Sequence, residues 1–463
     1  MPYTYNTPAD EREMLDTIGV DSIEQLYDMV PDELRFRGEL NIPAAMGEME
    51  LEQHVTKLAA MNASATTHVS FLGGGSYDHF IPAVVDAVGS RGEFYTSYTP
   101  YQPEVAQGNL QAMFEYQTLI TRLTGLDVSN SSLYDGASAA AEGVLMAIAA
   151  TRRKGRVVVP ASLHPEYRAT IATYLECLGV ELVTVPAPAG VADLDEFTSA
   201  IDDTTAAVVV QQPNFFGAVE DADALTAAAH DKGALVIAVF DPISLGIIKR
   251  PGDWNGGLQG SGGADIAVAE GQSLGTPMSY GGPVLGILAC RESLVRRMPG
   301  RIVGQTTDRR GKDCYVLTLQ TREQHIRRDK ATSNVCSNQG LFALRATVYL
   351  SLLGPEGLKE TANLCLQKSH YLAGRLCESD RFEAAFTAAT FKEFVLRDRE
   401  NNVAELIDTS LDAGFFAGIP LGQFYPELGD CLLVCVTEQR TRDEMDSFVE
   451  LHNTKTHTVT SVT

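Results

Sequence analysis

The sequence predicts an α/β protein: a large, mostly parallel sheet followed by a smaller C-terminal α+β domain. Three observations predict it. From about Val128, Val- and Ala-rich runs alternate with helical stretches, the pattern of a mainly parallel sheet with helices on both faces. The runs are apolar throughout instead of alternating, as expected of strands covered on both sides. Beyond Gly354-Pro355 the pattern changes to helix, strand, helix, strand, helix. With 463 residues the chain suits two or three domains. The expected division is a helical arm over 1–64, a large domain over 65–340, and a linker helix with the small domain over 341–463.

Taken in order, the arm reads as short helices. Thr7-Pro8 with Asp10, Glu11 and Glu13 marks a capped start. Ser22 with Gln25 predicts a capping box for a second helix ending near Pro31, and Leu51, Val55 and Leu58 give a helical stripe. Residues 71–104 are loop-rich around a short helix near Ile81–Val88, and Val105–Leu123 is helical. Expected strands are Val157–Pro160, Glu181–Val185, Ala206–Gln211, Ala234–Phe240, Ile266–Ala269 and Val284–Ala289. Between them lie helices Ser138–Arg152, Pro165–Leu178, Leu194–Ile201 and Ala222–Lys232. A helix over Leu341–Leu353 is expected to break at Gly354-Pro355. Strands Phe391–Leu396 and Cys431–Thr437, with helices Val403–Ala413 and Arg442–Leu451, make the small domain.

A hydrophobic content of 44% supplies a large core, and 21% charged residues argues against wholesale disorder. The formal charge of −24 argues against a broad nucleic-acid face and otherwise reads as a solvated acidic surface. Eight cysteines are scattered without a CxxC pair, which points to a reducing compartment. Cys431 and Cys435 suit a buried strand better than a metal site, and no metal is expected. No signal pattern opens the chain and no run of apolar residues is long enough to span a membrane. The expected location is the cytoplasm.

Chemistry concentrates where expected strands end. Asp135, Gly136 and Ser138 lie in a small-residue loop opening an Ala-rich helix, where free N–H groups can cradle a phosphate; an ordinary capped turn is the alternative. His164, after the next strand, can stack on a flat cofactor ring or be a satisfied edge histidine. Asp241 follows a strand of five apolar residues and Phe240. There it can hold a pyridine nitrogen protonated or simply cap a turn.

Phosphate loop, strand-end histidine, strand-end aspartate and a later strand-end turn (Glu270 to Pro277) form the layout of aspartate-aminotransferase-like (fold type I) pyridoxal-phosphate enzymes. These carry a lysine about 30 residues past the aspartate. Here the residue 31 positions past Asp241 is Gln272. An amide cannot attack the cofactor aldehyde, because its lone pair is delocalised into the carbonyl. Ten lysines occur in the chain, and Lys249 and Lys330 are the two candidate substitutes. Lys249 follows Asp241 too closely, and Lys330 lies in a charged loop.

The strings FLGGGSYDHFIP, YTSYTPYQPEVAQGNLQAMFEYQTLI, LTGL, SSLYDGASAAAEG, SYGGP, MPGRIVGQT, LTLQTREQHIRRDKATSN and YLSLLGPEGL extend over roughly residues 65–358. In them the chain resembles glycine dehydrogenase (decarboxylating), the P protein of the glycine cleavage system. It is about half the length of the single-polypeptide form, and Gln272 matches the N-terminal, lysine-less subunit of the two-subunit form. The resemblance implies glycine decarboxylation, with aminomethyl transfer to the lipoyl group of the H carrier protein. It also implies pyridoxal phosphate held covalently by the partner subunit, and a two-plus-two heterotetramer. Asp135, Gly136, Ser138, His164 and Asp241 then become a vestigial cofactor pocket.

Two loops are candidates to complete the partner's site. One contains Tyr98, Tyr101 and Gln102, stiffened by Pro100 and Pro103; the other, Arg322–Asn334, contains Arg327, Thr332 and Ser333. Their hydroxyls and guanidinium suit a carboxylate or phosphate. A Tyr-rich surface loop and an interdomain salt-bridge loop are the alternatives. Two further readings are a self-sufficient pyridoxal-phosphate lyase or transferase using another lysine, and a non-enzymatic scaffold.

Overall fold

Residues 6–257, 262–331 and 333–453 are described by a computed structural model of the chain, which separates residues 1–63 from residues 64–463. In the first unit, Pro8–Ile18 is a helix closed by a reciprocal cap. Asp10 N–H donates to Thr7 Oγ1 at 3.3 Å, and Thr7 N–H donates to Asp10 Oδ2 at 2.7 Å. The expected second helix is only a 3₁₀ turn, Ile23–Tyr27, without a side-chain cap. Gln25 reaches past Ser22 and accepts from Asp21 N–H instead, so the box never closes. Glu48–Ala59 is helical, with Leu51, Val55 and Leu58 exposed.

The larger unit is built on a seven-stranded sheet. Its strands are β1 (Val128–Ser129), β2 (Arg156–Pro160), β3 (Glu181–Val185), β4 (Thr205–Gln212), β5 (Leu235–Phe240), β6 (Ile266–Glu270) and β7 (Gly286–Cys290). Their order is β1-β7-β6-β5-β4-β2-β3; β7 runs antiparallel to both neighbours and the other pairs are parallel. The unit's helices include α1 (Gln107–Thr124), α2 (Gly136–Thr151), α3 (Pro165–Leu175), α4 (Leu194–Ala200), α5 (Ala222–Asp231) and α6 (Gly340–Leu376), with others at Ala83–Gly89, Val403–Asp412 and Arg442–Asn453.

Alternate strand residues feed two separate cores. Val208, Val236, Ala238 and Ala267 pack with Tyr116, Ile120, Leu225 and Tyr349 on one face. Val209, Ile237, Val239 and Val268 pack with Val144, Ala147 and Ile171 on the other. Both sets are apolar because both faces are covered, which is why the runs show no alternation in sequence.

The break expected at Gly354-Pro355 is a kink inside one long helix. Gly354 takes φ +59°, ψ −173°, and helix resumes at once through Pro355. Proline is tolerated in the first turn of a helical segment, where its missing N–H has no intrahelical carbonyl to serve. α6 therefore reaches Leu376 and carries the chain into a four-stranded antiparallel sheet. Its strands are β8 (Phe382–Ala384), β9 (Glu393–Asp398), β10 (Ile419–Pro420) and β11 (Cys431–Cys435), ordered β8-β9-β11-β10.

One contact between the two sheets leaves no room for error. After β4 the chain turns at Gly217, with φ +78°, and a Cβ there would lie 2.0 Å from the Glu393 carbonyl oxygen. Gly217→Ala therefore combines a left-handed backbone with a steric clash. It is expected to cost about 2–4 kcal/mol, read as a lowered thermal midpoint. A melt matching the parent's would contradict this packing.

Candidate functional site: a filled cleft at the carboxyl edge of the sheet

The sequence-predicted residues meet where β2, β5 and β6 end and α2 begins, the edge at which open parallel sheets bind ligands. Asp241 follows β5 directly. Its Oδ1 accepts from Ile243 N–H at 3.1 Å, so it does cap a turn. Its other oxygen is buried. It lies 2.8 Å from the Nζ of Lys392, at the entry to β9. Lys392 is 1% exposed. Its ammonium also lies 3.0 Å from His79 Nε2 and 3.3 Å from the centroid of the Tyr77 ring. An ammonium only donates, so His79 accepts at Nε2 and carries its proton on Nδ1, which faces Glu438 at 2.6 Å. Burial is the largest single influence and opposes the lysine's charge, but the Asp241 carboxylate together with the neighbouring Cys435 and Cys365 sulfurs outweighs it and holds the ammonium above its ordinary value.

Gln272 stands one turn beyond β6 and is buried. Its Oε1 accepts from Tyr77 N–H at 2.8 Å, and its Nε2 donates to Tyr77 O at 3.1 Å and to Thr276 O at 2.7 Å. The amide thus works as a two-sided backbone clamp on the glycine-rich segment before it, a task that needs both a donor and an acceptor.

The helix start expected to cradle phosphate is supplied with carboxylates from the chain itself. Asp135 Oδ1 accepts from Ser138 N–H at 2.8 Å, and Ser138 Oγ donates to Asp135 Oδ2 at 2.8 Å. Gly136 N–H donates to Glu270 Oε2 at 3.0 Å. Glu270 also accepts from the N–H groups of Gln272 and Leu285, at 2.8 and 3.0 Å. Three backbone donors converge on this one carboxyl group, which fills the place an anion would take.

His164 is stacked, but on Tyr167, at 5.0 Å between centroids and 29° between planes. Nδ1 accepts from Glu166 N–H and Nε2 donates to the Gly74 carbonyl at 2.8 Å. Gly74 lies in the segment Gly73–His79, which enters the cleft. Gly74 N–H and Tyr77 Oη donate to the two oxygens of Glu393, at 2.7 and 2.9 Å.

What remains is a space of about 30 Å³ bounded by Tyr77, His164, Tyr167, Asp241, Glu270 and Lys392. That suits one or two water molecules, whereas small-molecule pockets run from roughly 300 Å³ upward. The residues present do not fit pyridoxal phosphate. No primary amine stands at position 272, Asp241 already holds a cation, and the helix N-terminus already holds an anion.

The two candidate loops are brought together elsewhere. Tyr98 is 86% exposed and Tyr101 52%. The Tyr101 ring lies edge-on to His325 at 5.9 Å, and the buried Arg301 guanidinium lies over it at 5.7 Å. Arg301 also donates to Tyr101 Oη, at 3.4 Å, and to the Cys336 carbonyl, at 2.8 Å. Gln102 and Arg327 are exposed, whereas Ser333, half-buried, faces Glu142. Thr332 lies outside the described residues.

Sequence reasoning missed Lys392, Glu270, Tyr77, His79 and Glu393. Glu270, Tyr77 and His79 sit in strings singled out for other reasons, and that was the available signal. Lys392 had none, because no local spacing connects it to Asp241.

Fold and cleft together place the chain in the class of fold-type-I pyridoxal-phosphate-dependent enzymes. The chain belongs to the glycine cleavage system P-protein family, whose model matches residues 2–452. It is 51% identical, over 97% of its length and 99% of the relative's, to the probable glycine dehydrogenase (decarboxylating) subunit 1 of Carboxydothermus hydrogenoformans. The protein of the same description in Chlorobaculum parvum is 49% identical, over 97% and 98%. A crystal structure of glycine decarboxylase (P-protein) in inhibitor-bound form is 42% identical with a TM-score of 0.89, covering 97% of this chain and 99% of that one. A sphingosine-1-phosphate lyase from Burkholderia pseudomallei, 18% identical with a TM-score of 0.65, shares the fold.

Burial pushes Glu142, Glu270 and Glu393 from about 4.5 up to about 7. A carboxyl group with a raised folded-state value binds its proton more tightly when folded. Its contribution is complete below the unfolded value and is lost as pH rises through the folded one. These three groups should therefore pull the thermal midpoint down between about pH 5 and pH 8, against a smaller opposite pull from buried His164 and His452, whose lowered values favour the fold as pH rises. Glu393→Gln, which cannot ionise, should make that fall shallower. Melts at constant ionic strength check this, and an unchanged slope would exclude Glu393 as a contributor.

Proposed function

We propose that this chain is the lysine-less subunit of a two-subunit glycine decarboxylase. It supports glycine decarboxylation and transfer of the aminomethyl group to the lipoyl arm of the H carrier protein. The observation that carries the reading is the cleft. The position of the cofactor lysine is Gln272, whose amide is committed on both sides to backbone, and Asp241 is paired with Lys392. The cofactor-holding lysine then belongs to a second subunit, in agreement with the "subunit 1" of the relatives' names. A two-plus-two assembly in the cytoplasm follows from the same reading.

Pyridoxal phosphate on the partner supplies the electron sink that lets the carboxylate of glycine leave as CO₂. This chain's part is binding and orientation. Tyr98, Tyr101 and Gln102 offer donors at the surface, while Arg301 and His325 hold the Tyr101 ring from behind. Arg327, Thr332 and Ser333 lie in the sequence run that contains His325. An exposed tyrosine tethered by a buried guanidinium has a fixed hydroxyl position, as a donor to a carboxylate or phosphate requires. Covering a site from the side of a second subunit also excludes water from it.

Two measurements test the reading. The purified chain should neither decarboxylate glycine nor exchange its carboxyl group with bicarbonate, and activity should appear on adding the lysine-bearing subunit and lipoylated H protein. In that mixture Tyr98→Phe and Tyr101→Phe should each lower kcat/KM by roughly 10–100-fold, as loss of one positioned donor does, with the melt of this chain unchanged. Turnover by the chain alone would end the proposal. Full activity in both tyrosine variants would remove this loop from the shared site.

A further inference from the structure

We propose that the vacated cofactor cleft is kept closed by ligands built into the chain: Lys392 occupies the cation position on Asp241, and Glu270 occupies the anion position at the start of α2. This deepens the preceding reading by naming what replaces the cofactor, and it rests on that reading only for the cofactor's identity.

The geometry has three parts. At one end, the Lys392 ammonium places all of its interactions inside the cleft: Asp241 at 2.8 Å, His79 at 3.0 Å and the face of Tyr77 at 3.3 Å. A protonated pyridine ring would need the same carboxylate. At the other end, Glu270 gathers the N–H groups of Gly136, Gln272 and Leu285. A phosphate ester would need the first of these. A Cβ added at Gly136 would lie 1.9 Å from Tyr167 Oη and 2.7 Å from Glu270 N, so nothing larger than glycine can bring the helix this close. Between the two ends lie Tyr77 and the His164–Tyr167 stack, leaving about 30 Å³.

The two internal ligands come from different parts of the molecule. Glu270 ends β6 of the large sheet, whereas Lys392 enters β9 of the small one. Lys392 therefore joins the two sheets through the point where a cofactor would lie. Its neighbour Glu393 secures Gly74 and Tyr77 from the other side, and Glu438 secures Phe80 N–H at 2.7 Å. Emptying the cation position should loosen the segment from Gly73 to Phe80 before anything else.

The test uses the full-length chain, with n-propylammonium chloride and free pyridoxal 5′-phosphate as probes. Lys392→Ala removes the side-chain carbons and the charge that n-propylammonium restores. Its thermal midpoint should fall and recover by at least half on adding n-propylammonium, relative to equal concentrations of sodium chloride. Wild type and the Asp241→Asn/Lys392→Ala double variant should not respond. Equilibrium dialysis should show pyridoxal 5′-phosphate held at least tenfold more tightly by Lys392→Ala/Glu270→Ala than by wild type. A soluble, folded Lys392→Ala chain that n-propylammonium does not stabilise, or equal cofactor retention by wild type and Lys392→Ala/Glu270→Ala, would overturn the proposal. If Lys392→Ala does not fold, Lys392→Met with Asp241→Asn serves instead. That pair should melt closer to wild type than either single change, and additive losses would count against the internal ligand. Activity of wild type with the lysine-bearing subunit is measured separately. Failure there would overturn the functional reading and leave the closed cleft standing.

Discussion

A single buried contact, the Lys392 ammonium on the Asp241 carboxylate, is the constraint on which the rest of the larger unit depends. Two opposite charges inside a protein are tolerated only when each finds its partner and its remaining donors and acceptors are satisfied. Here Asp241 is presented by the end of β5 and Lys392 by the entry to β9. Removing either partner leaves the other charged and buried, which in comparable pairs costs about 3–5 kcal/mol. The two sheets are therefore held to one relative position by electrostatics as well as by apolar packing.

Around that pair, features that elsewhere make a ligand site serve as internal structure. A helix N-terminus is an anion site because its first N–H groups lack intrahelical acceptors. In this chain Asp135 and Glu270 accept those bonds. The glycines at 73–75 permit close approach, and the guest they admit is the chain itself: a Cβ on Gly73 would lie 2.2 Å from Glu393 Oε1. The Gln272 amide serves as a hydrogen-bonding bracket between Tyr77 and Thr276. On the outer surface, Tyr98 and Tyr101 stand exposed and the buried Arg301 lies over the Tyr101 ring. That division fits a family in which the chemistry belongs to an assembled enzyme.

Legibility followed the range of the forces. The strands over 157–160, 181–185 and 266–269 were readable because an apolar run bounded by turn residues reflects burial that is local in sequence. The structure places them at Arg156–Pro160, Glu181–Val185 and Ile266–Glu270. Reading failed where two local rules competed. Gly354-Pro355 satisfies both a break and a restart, and packing along α6 selected the restart. Ser22 with Gln25 satisfies a capping box, but Asp21 offered Gln25 a nearer donor.

The sequence by itself determined the alternation of strand and helix, the family, and the absence of an amine at position 272, because each is written in contiguous residues. Only the tertiary structure decided what fills the space a cofactor would need. Gly74 and Glu393 are 319 positions apart when they bond, and Lys392 reaches Asp241 only after α6 and β8 have returned the chain to the sheet's edge. Electrostatic pairing acts through distance in space. It leaves no spacing in the sequence from which the partner could be read.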